Sequence, residues 1–132
     1  MKIFKKIKQW WQSRRLYVIA DPTDNSITLS KHLFNHIKSG DSDVARVFMF
    51  RIGDKFGFMV NPDIEQPTQM CDIQYNEKYK CIGFETLSPS VGTILYDYDL
   101  EANKRVKLSI SVLSCKDRTY YQIESPNAEY IR

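Results

Sequence analysis

Four β-rich runs separated by turn-forming clusters fill the second half of the chain, and this pattern restricts the possible folds most. The runs cover residues 79–86, 92–100, 105–114 and 119–124. Clusters of residues that favour turns lie between them, at 88–90, 102–103 and 116–118. Strands at this spacing with short connections predict an antiparallel meander.

The clearest hairpin lies in the first half of the chain. Residues 44–52 and 55–60 are joined by Gly53-Asp54, a pair suited to a tight two-residue turn. The register of this turn places Gly57 opposite Phe50, so we expect the Phe50 ring to cover the bare glycine backbone.

Shorter elements complete the prediction for the sheet. The apolar run 16–20 predicts a strand, the cluster 21–25 a turn, and residues 26–29 a returning strand. Two prolines between residues 61 and 70 each remove a donor of strand pairing, so we expect the longest connection there.

Two amphipathic helices are predicted. In residues 1–13, five large apolar side chains fall within an arc of about 120° when wound at 100° per residue; they are Ile3, Phe4, Ile7, Trp10 and Trp11. A second, short helix covers about 30–39, with Ser30 as N-cap and Gly40 as the left-handed stop.

Helices first and strands after, without βαβ alternation, predict an α+β fold. We expect an antiparallel sheet of about six or seven strands, with the N-terminal amphipathic helix and the second short helix packed on it. The 132 residues suit one domain of ordinary size. The predicted division is a basic N-terminal helix (1–13), a single α+β domain (14–125) and a C-terminal tail (126–132).

The basic charge of the chain is concentrated at its start. Residues 1–16 hold six of the 19 basic residues and none of the 16 acidic ones, so the remainder carries 13 basic against 16 acidic residues, or −3. This distribution favours one local contact with nucleic acid or an anionic membrane surface over a uniformly basic coat. The candidate binding residues are Lys2, Lys5, Lys6, Lys8, Trp10, Trp11, Arg14 and Arg15. In the alternative, the apolar arc packs on the chain's own sheet, or on a second copy, and the lysines face water.

The three cysteines predict neither a disulfide framework nor a zinc site. Cys71, Cys81 and Cys115 are widely spaced, and no Cys-x-x-Cys pair is present. Lysines interrupt the apolar residues at the start, which argues against a signal peptide, and no run approaches the roughly 18 to 20 apolar residues of a membrane span. We therefore expect a cytoplasmic protein without cofactor or metal.

Weak candidates for catalysis come from three carboxylates. In a strand, Asp97, Asp99 and Glu101 would share one face, where they could hold Mg²⁺ or act as acid and base. The alternative is that Lys104 and the basic residues after it pair with them across a hairpin.

The two histidines of the chain are the other weak candidates. His32 and His36 are four residues apart, a spacing at which two imidazoles on one helix can reach one metal. Without a glutamate after the first histidine, the pattern favours solvated side chains.

Tyrosine is the one remaining compositional excess, with eight residues. If Tyr79, Tyr98 and either Tyr120 or Tyr121 line one open sheet face, that face could stack bases or bind a protein segment. The alternative is ordinary packing within a sheet.

The sequence favours a small binding or adaptor protein without catalytic activity, which contacts a protein partner or a second copy through its α+β body. One alternative is nucleic-acid or membrane-surface binding through the N-terminal helix. Another is a hydrolase-like enzyme that uses the carboxylates with His32 or His36. Nucleotide hydrolysis is disfavoured because no phosphate-binding glycine loop is present.

Overall fold

The computed structural model describes residues 16–40, 46–60, 70–76, 81–86, 89–115 and 118–131. Its strands are β1 (Tyr17–Asp21), β2 (Ser26–Leu29), β3 (Arg46–Ile52), β4 (Lys55–Val60), β5 (Met70–Asp72), β6 (Gln74–Asn76), β7 (Cys81–Glu85), β8 (Arg105–Cys115) and β9 (Arg118–Ile131). Its helices are α1 (Lys31–Gly40) and α2 (Val91–Asp97). The helix predicted at 1–13 and residues 61–69 of the predicted connection lie outside the described residues.

All nine strands form one antiparallel sheet, in the order β5-β3-β4-β9-β8-β1-β2-β7-β6. The strands β5 and β6 lie at opposite ends of this order, yet Ile73 alone separates them in the chain. The sheet must therefore curl until its two edges meet, and β5 indeed contacts β7. The curl creates an inner face and an outer face.

The inner face holds the core. Alternate residues of the strands are buried there, for example Val106, Leu108 and Ile110 of β8, as the predicted inward face of that strand requires. Leu33 and Ile37 of α1 belong to the same buried cluster, as do three residues of α2. The antiparallel sheet and the packing of the second predicted helix on it are confirmed, and this architecture fits the α+β class. The described sheet has nine strands instead of about six or seven, and the predicted meander is wrong because β7 lies between β2 and β6 and does not pair with β8.

The N-cap predicted for α1 forms, whereas the predicted stop at Gly40 does not, because Gly40 is still part of the helix. The Ser30 hydroxyl accepts a hydrogen bond from the Leu33 amide at 3.1 Å, which is the arrangement of a side-chain N-cap. The helix includes Gly40 as its last residue, one position beyond the predicted end.

The β3–β4 hairpin also forms in the predicted register. Phe50 pairs with Gly57, and Ile52 pairs with Lys55 across the turn. Gly53 adopts φ +62, a conformation that glycine reaches without the steric cost of a side chain.

The strand predicted at 92–100 is wrong, because this segment forms α2. The Ser90 hydroxyl accepts from the Thr93 amide at 3.2 Å and caps the helix. Val91, Ile94 and Leu95 are buried together, since a spacing of three and four residues puts them on one side of a helix.

The C-terminal end of α2 explains why the carboxylates after it do not continue a regular element. Asp99 adopts φ +57. The Asp99 amide donates to the Tyr96 carbonyl at 3.1 Å, and the Leu100 amide donates to the Leu95 carbonyl at 2.8 Å. This pair of bonds is the Schellman motif that ends many helices.

The strand β9 is longer than predicted. It was expected to end at Glu124, but it continues to Ile131, so residues 126–131 of the predicted C-terminal tail lie in the sheet. Four residues of β9 between Glu124 and Glu129 lie opposite a single residue of β8. A bulge of this kind lets a strand pass an irregular stretch and resume its pairing.

Candidate binding surface

Three aromatic side chains form a cluster on the outer face of β3 and β9. Val47 and Met49 of β3 point inward and are buried, so Phe48 and Phe50 point outward, where they are half-buried. Their rings stack with centroids 5.7 Å apart, and Phe50 also lies 4.7 Å from the Tyr120 ring. We call Phe48, Phe50 and Tyr120 the outer aromatic cluster.

Gly57 of β4 lies directly beneath the Tyr120 ring of this cluster. A Cβ atom at Gly57 would overlap the ring and hydroxyl of Tyr120. The atoms nearest to this position therefore belong to Tyr120, which covers the glycine. The expectation that Phe50 also covers it stays a prediction. The Phe50 ring packs against the Tyr120 ring.

The hydroxyl of Tyr120 is buried and has no hydrogen-bond partner among the described residues. Tyr120 is only 8% exposed although it lies on the outer face. Burial, followed by the nearby charge of Glu124, raises the pKa of Tyr120 above its ordinary value. The ring serves packing here, and its polar atom adds no stabilising bond.

An ion pair borders the outer aromatic cluster. Lys55 Nζ lies 2.5 Å from Glu124 Oε2, and Gln122 Nε2 donates to Glu124 Oε1 at 2.6 Å. Burial alone would raise the pKa of Glu124. Hydrogen bonds from Lys55, Gln122 and Ser111 lower it by more, so the pKa lies below its ordinary value. Glu124 is therefore ionised at neutral pH, with Lys55 as its counter-ion.

Exposed apolar side chains extend the cluster on both sides. Ile52, at the end of β3, is 56% exposed. Leu113 of β8 pairs with Tyr120 and is 43% exposed. Apolar surface therefore continues across β3, β9 and β8 of the outer face.

On the inner face, where β4 pairs with β9, the hydroxyl of Tyr98 has hydrogen-bond partners, unlike that of Tyr120. Its hydroxyl accepts from the Phe56 amide and donates to the Ile123 carbonyl, both at 2.7 Å. In the β4–β9 register, Phe58 pairs with Tyr121 and Gly57 with Gln122. Phe56 and Ile123 are next in this register, so the hydroxyl bridges the two strands where their pairing ends. Burial raises the pKa of Tyr98 to about 12.

The predicted carboxylate cluster is not formed in the way expected. The strand face that would group the three carboxylates is absent, because Asp97 is in α2 and Asp99 is in the turn after it. Asp97 Oδ2 lies 3.1 Å from Arg51 Nη1, and Glu101 Oε2 lies 3.1 Å from Lys104 Nζ. The pairing of Glu101 with Lys104 agrees with the alternative that basic residues neutralise these carboxylates.

The two histidines lie exposed on α1. His36 Nδ1 is 3.3 Å from the Tyr121 hydroxyl, and the two rings meet edge to face with centroids 5.9 Å apart. Within the described part of the chain, no group of three His, Cys, Asp or Glu side chains could hold a metal ion.

The tyrosines do not share one face. Tyr120 lies on the outer face, whereas Tyr121 stacks on Phe58 within the core at 5.3 Å and Tyr98 bonds to the strands from the inner side. Tyr79 lies outside the described residues, as do all eight basic and tryptophan candidates before Leu16. The aromatic face that the structure does contain is built mainly from phenylalanine.

A sequence signal for this face existed in β3. Residues 47–50 are four successive apolar side chains, and in a strand such a run places apolar groups on both faces. The contribution of Tyr120 had no comparable signal, because the orientation of β9 is set by its pairing with β8 and β4.

No protein-family model matches this sequence, and no curated protein and no solved structure matches it. Neither of the two described helices is long and apolar enough to cross a membrane. The candidate function therefore depends on the chemistry of the surface alone.

Proposed function

We propose that this protein is a binding or adaptor protein without catalytic activity, and that it contacts a protein partner through the outer aromatic cluster. One observation carries the proposal: Phe48 and Phe50 are only half-buried on the outer face, which also carries the exposed side chains Ile52 and Leu113. Aromatic side chains dominate the energetics of protein interfaces, because they bury a large area with few rotatable bonds.

The electrostatics of this surface suit a protein partner better than a polyanion. The bordering carboxylate Glu124 is already paired with Lys55, so the described part of this border adds little net charge. Nucleic-acid binding depends instead on several basic groups at phosphates. A largely apolar contact should vary little with salt concentration.

A capture experiment from the source cells tests the proposal. Tagged wild-type protein is compared with Phe50→Asp and with Tyr96→Asp, a matched control because Tyr96 is an aromatic residue of α2 that is 76% exposed. We expect one polypeptide to be retained by wild type and by Tyr96→Asp. Its retention by Phe50→Asp should fall by about ten-fold or more, as for a central interface aromatic.

Circular dichroism and thermal unfolding of each variant establish that the fold is kept. If Phe50→Asp does not fold, Phe48→Ser replaces it. Equal capture by all three proteins, or no capture by wild type, contradicts the proposal. Retention of the protein's own untagged copy identifies self-association as the contact.

A further inference from the structure

We infer that the exposed face of α1 is a second interaction surface of this protein, and that it binds the phosphates of a nucleic acid. This face is separate from the outer aromatic cluster, so the inference goes beyond the proposed contact with a protein partner.

The exposed face of α1 carries lysine, histidine and asparagine side chains. At 100° per residue, its five exposed residues fall within an arc of about 160°; they are Lys31, His32, Asn35, His36 and Lys38. Leu33 and Ile37 on the opposite side are buried, and α1 contains no acidic residue. The face is therefore positively charged, although residues 17–132 together carry a net charge of −3.

The two lysines of α1 differ from the other lysines that the structure describes. Lys55 and Lys104 each pair with a glutamate, and Lys107 places its ammonium 4.2 Å from the centre of a tyrosine ring. Neither Lys31 nor Lys38 makes an ion pair with a described residue. Their charges are therefore available to an anion from outside the protein.

Helix stability does not account for the charge at Lys31. This residue is the first of α1, where the helix macrodipole favours acidic side chains and disfavours basic ones. A side chain that opposes a local preference without a compensating contact is expected at functional positions.

The composition of this face favours a nucleic acid over an anionic membrane. Helices that bind membrane surfaces insert their apolar side into the lipid, whereas the apolar side of α1 lies in the protein core. Lysine and asparagine side chains donate hydrogen bonds to phosphate oxygens in nucleic-acid complexes. Lys31 and Lys38 lie on the same side of α1, about 10 Å apart along its axis, so both can contact one phosphate backbone at the same time.

The salt dependence of binding tests the inference, because each phosphate contact releases counterions. Fluorescence anisotropy of a labelled DNA duplex of mixed sequence is measured with the full chain over a range of NaCl concentrations. Wild type is compared with Lys31→Gln/Lys38→Gln and with the control Lys104→Gln/Lys107→Gln, which loses the same charge outside α1.

We expect wild type to bind the duplex. The slope of log K against log salt concentration should be less steep by about 1.8 in Lys31→Gln/Lys38→Gln, at about 0.9 for each lost contact. Lys104→Gln/Lys107→Gln should keep the wild-type slope. A parallel titration with single-stranded RNA shows which of the two nucleic acids binds more tightly.

A gain of charge provides a second test. Asn35→Lys adds a cation between the two lysines and should steepen the slope by about 0.9. Circular dichroism of each variant establishes that the fold is kept, and Asn35→Lys decides the question if the glutamine pair does not fold.

Four results would overturn the inference. The first is no binding of either nucleic acid by wild type. The second is a slope that the α1 substitutions leave unchanged, which places the contact elsewhere in the chain. The third is an equal loss in both lysine pairs, which shows a general effect of charge. The fourth is α1-dependent binding to anionic vesicles or polyglutamate but not to nucleic acid.

The titration needs no protein partner, so its result is separate from that of the capture experiment. Failure of either experiment leaves the other surface untouched.

Discussion

The two tyrosines on either side of the β4–β9 junction differ in how their hydroxyls are used. On the inner side, the Tyr98 hydroxyl bonds the Phe56 amide and the Ile123 carbonyl. On the outer side, the Tyr120 hydroxyl is buried and has no partner within the described part of the chain. Both rings are packed, but only Tyr98 satisfies backbone groups that the strands themselves leave unpaired. The difference indicates that the inner tyrosine satisfies backbone groups of the fold, whereas the outer one serves packing within the outer aromatic cluster.

The largest expected effect on stability comes from removing the Tyr98 hydroxyl, which bridges β4 and β9. In Tyr98→Phe, the Phe56 amide and the Ile123 carbonyl lose their partner while the ring contact with Phe56 remains. Two buried backbone groups left unpaired should lower the free energy of unfolding by about 3 kcal/mol, as measured by urea denaturation. A loss below about 1 kcal/mol would show that the strands or water replace the bond.

The pH dependence of Tyr98 sharpens the same point. Burial raises its pKa to about 12 in the folded protein, against an ordinary value of 10.0. A raised folded pKa contributes stability that is complete below pH 10 and is lost as the pH rises through 12. Wild type should therefore lose stability between pH 10 and 12 more steeply than Tyr98→Phe does. Parallel curves would contradict the burial of this hydroxyl.

The next largest effect on stability concerns Gly57, which lies beneath the Tyr120 ring. In Gly57→Ala, the new methyl group overlaps the Tyr120 ring, and crowding of this kind should cost about 2 kcal/mol. In a Tyr120→Ala background, the same substitution should cost much less, because the obstructing ring is gone. A double-mutant cycle measures this coupling, and additive effects would contradict the contact.

The direct counterpart of Tyr98→Phe is Tyr120→Phe. Removing a buried hydroxyl that has no partner should leave the free energy of unfolding unchanged or raise it by up to about 1 kcal/mol. Thermal and urea unfolding, run beside Tyr98→Phe, check this. A loss comparable to that of Tyr98→Phe would erase the distinction between the two tyrosines.

The smallest effect on stability concerns the ion pair of Glu124 with Lys55 beside the cluster. Hydrogen bonds from Lys55, Gln122 and Ser111 outweigh burial and keep the pKa of Glu124 below its ordinary value of 4.5. A lowered folded pKa contributes stability that is present above the unfolded pKa and is lost as the pH falls through the folded pKa. Glu124→Gln should therefore be less stable than wild type at pH 7 by under about 1 kcal/mol, because the pair is partly solvated.

The difference between Glu124→Gln and wild type should disappear as the pH falls below 4.5. Urea titrations at several pH values measure it, with Glu129→Gln as control because Glu129 is an exposed glutamate of the same strand. A difference that persists in acid would contradict the ionic origin of the effect.

Elements with strong local signals were predictable from the sequence. The hairpin followed from Gly53-Asp54, and α1 followed from Ser30 and the spacing of Leu33 and Ile37. In α2, by contrast, the alternation after Tyr96 resembled a strand and concealed the cap at Ser90. The amide of Val91 also donates to Asn25 Oδ1 at 2.7 Å, and no local pattern reveals a contact across 66 positions.

The candidate surface was predictable only in part. The apolar run of β3 indicates aromatic groups on two faces, whereas the side on which Tyr120 lies depends on pairing with distant strands. The strands β5 and β6 hold three residues each, too few to display a period. They form because β3 and β7 present partners to them. The predictions made for residues 1–15 stay predictions.

We propose the outer aromatic cluster as the protein contact, with the exposed Tyr96 of α2 outside it. Site-specific photo-crosslinking in the source cells tests it most directly, with the photoreactive residue placed at Phe50 in one protein and at Tyr96 in another. We expect a discrete adduct with one polypeptide from position 50 and none from position 96. No adduct from position 50, or the same adduct from both positions, would contradict the claim.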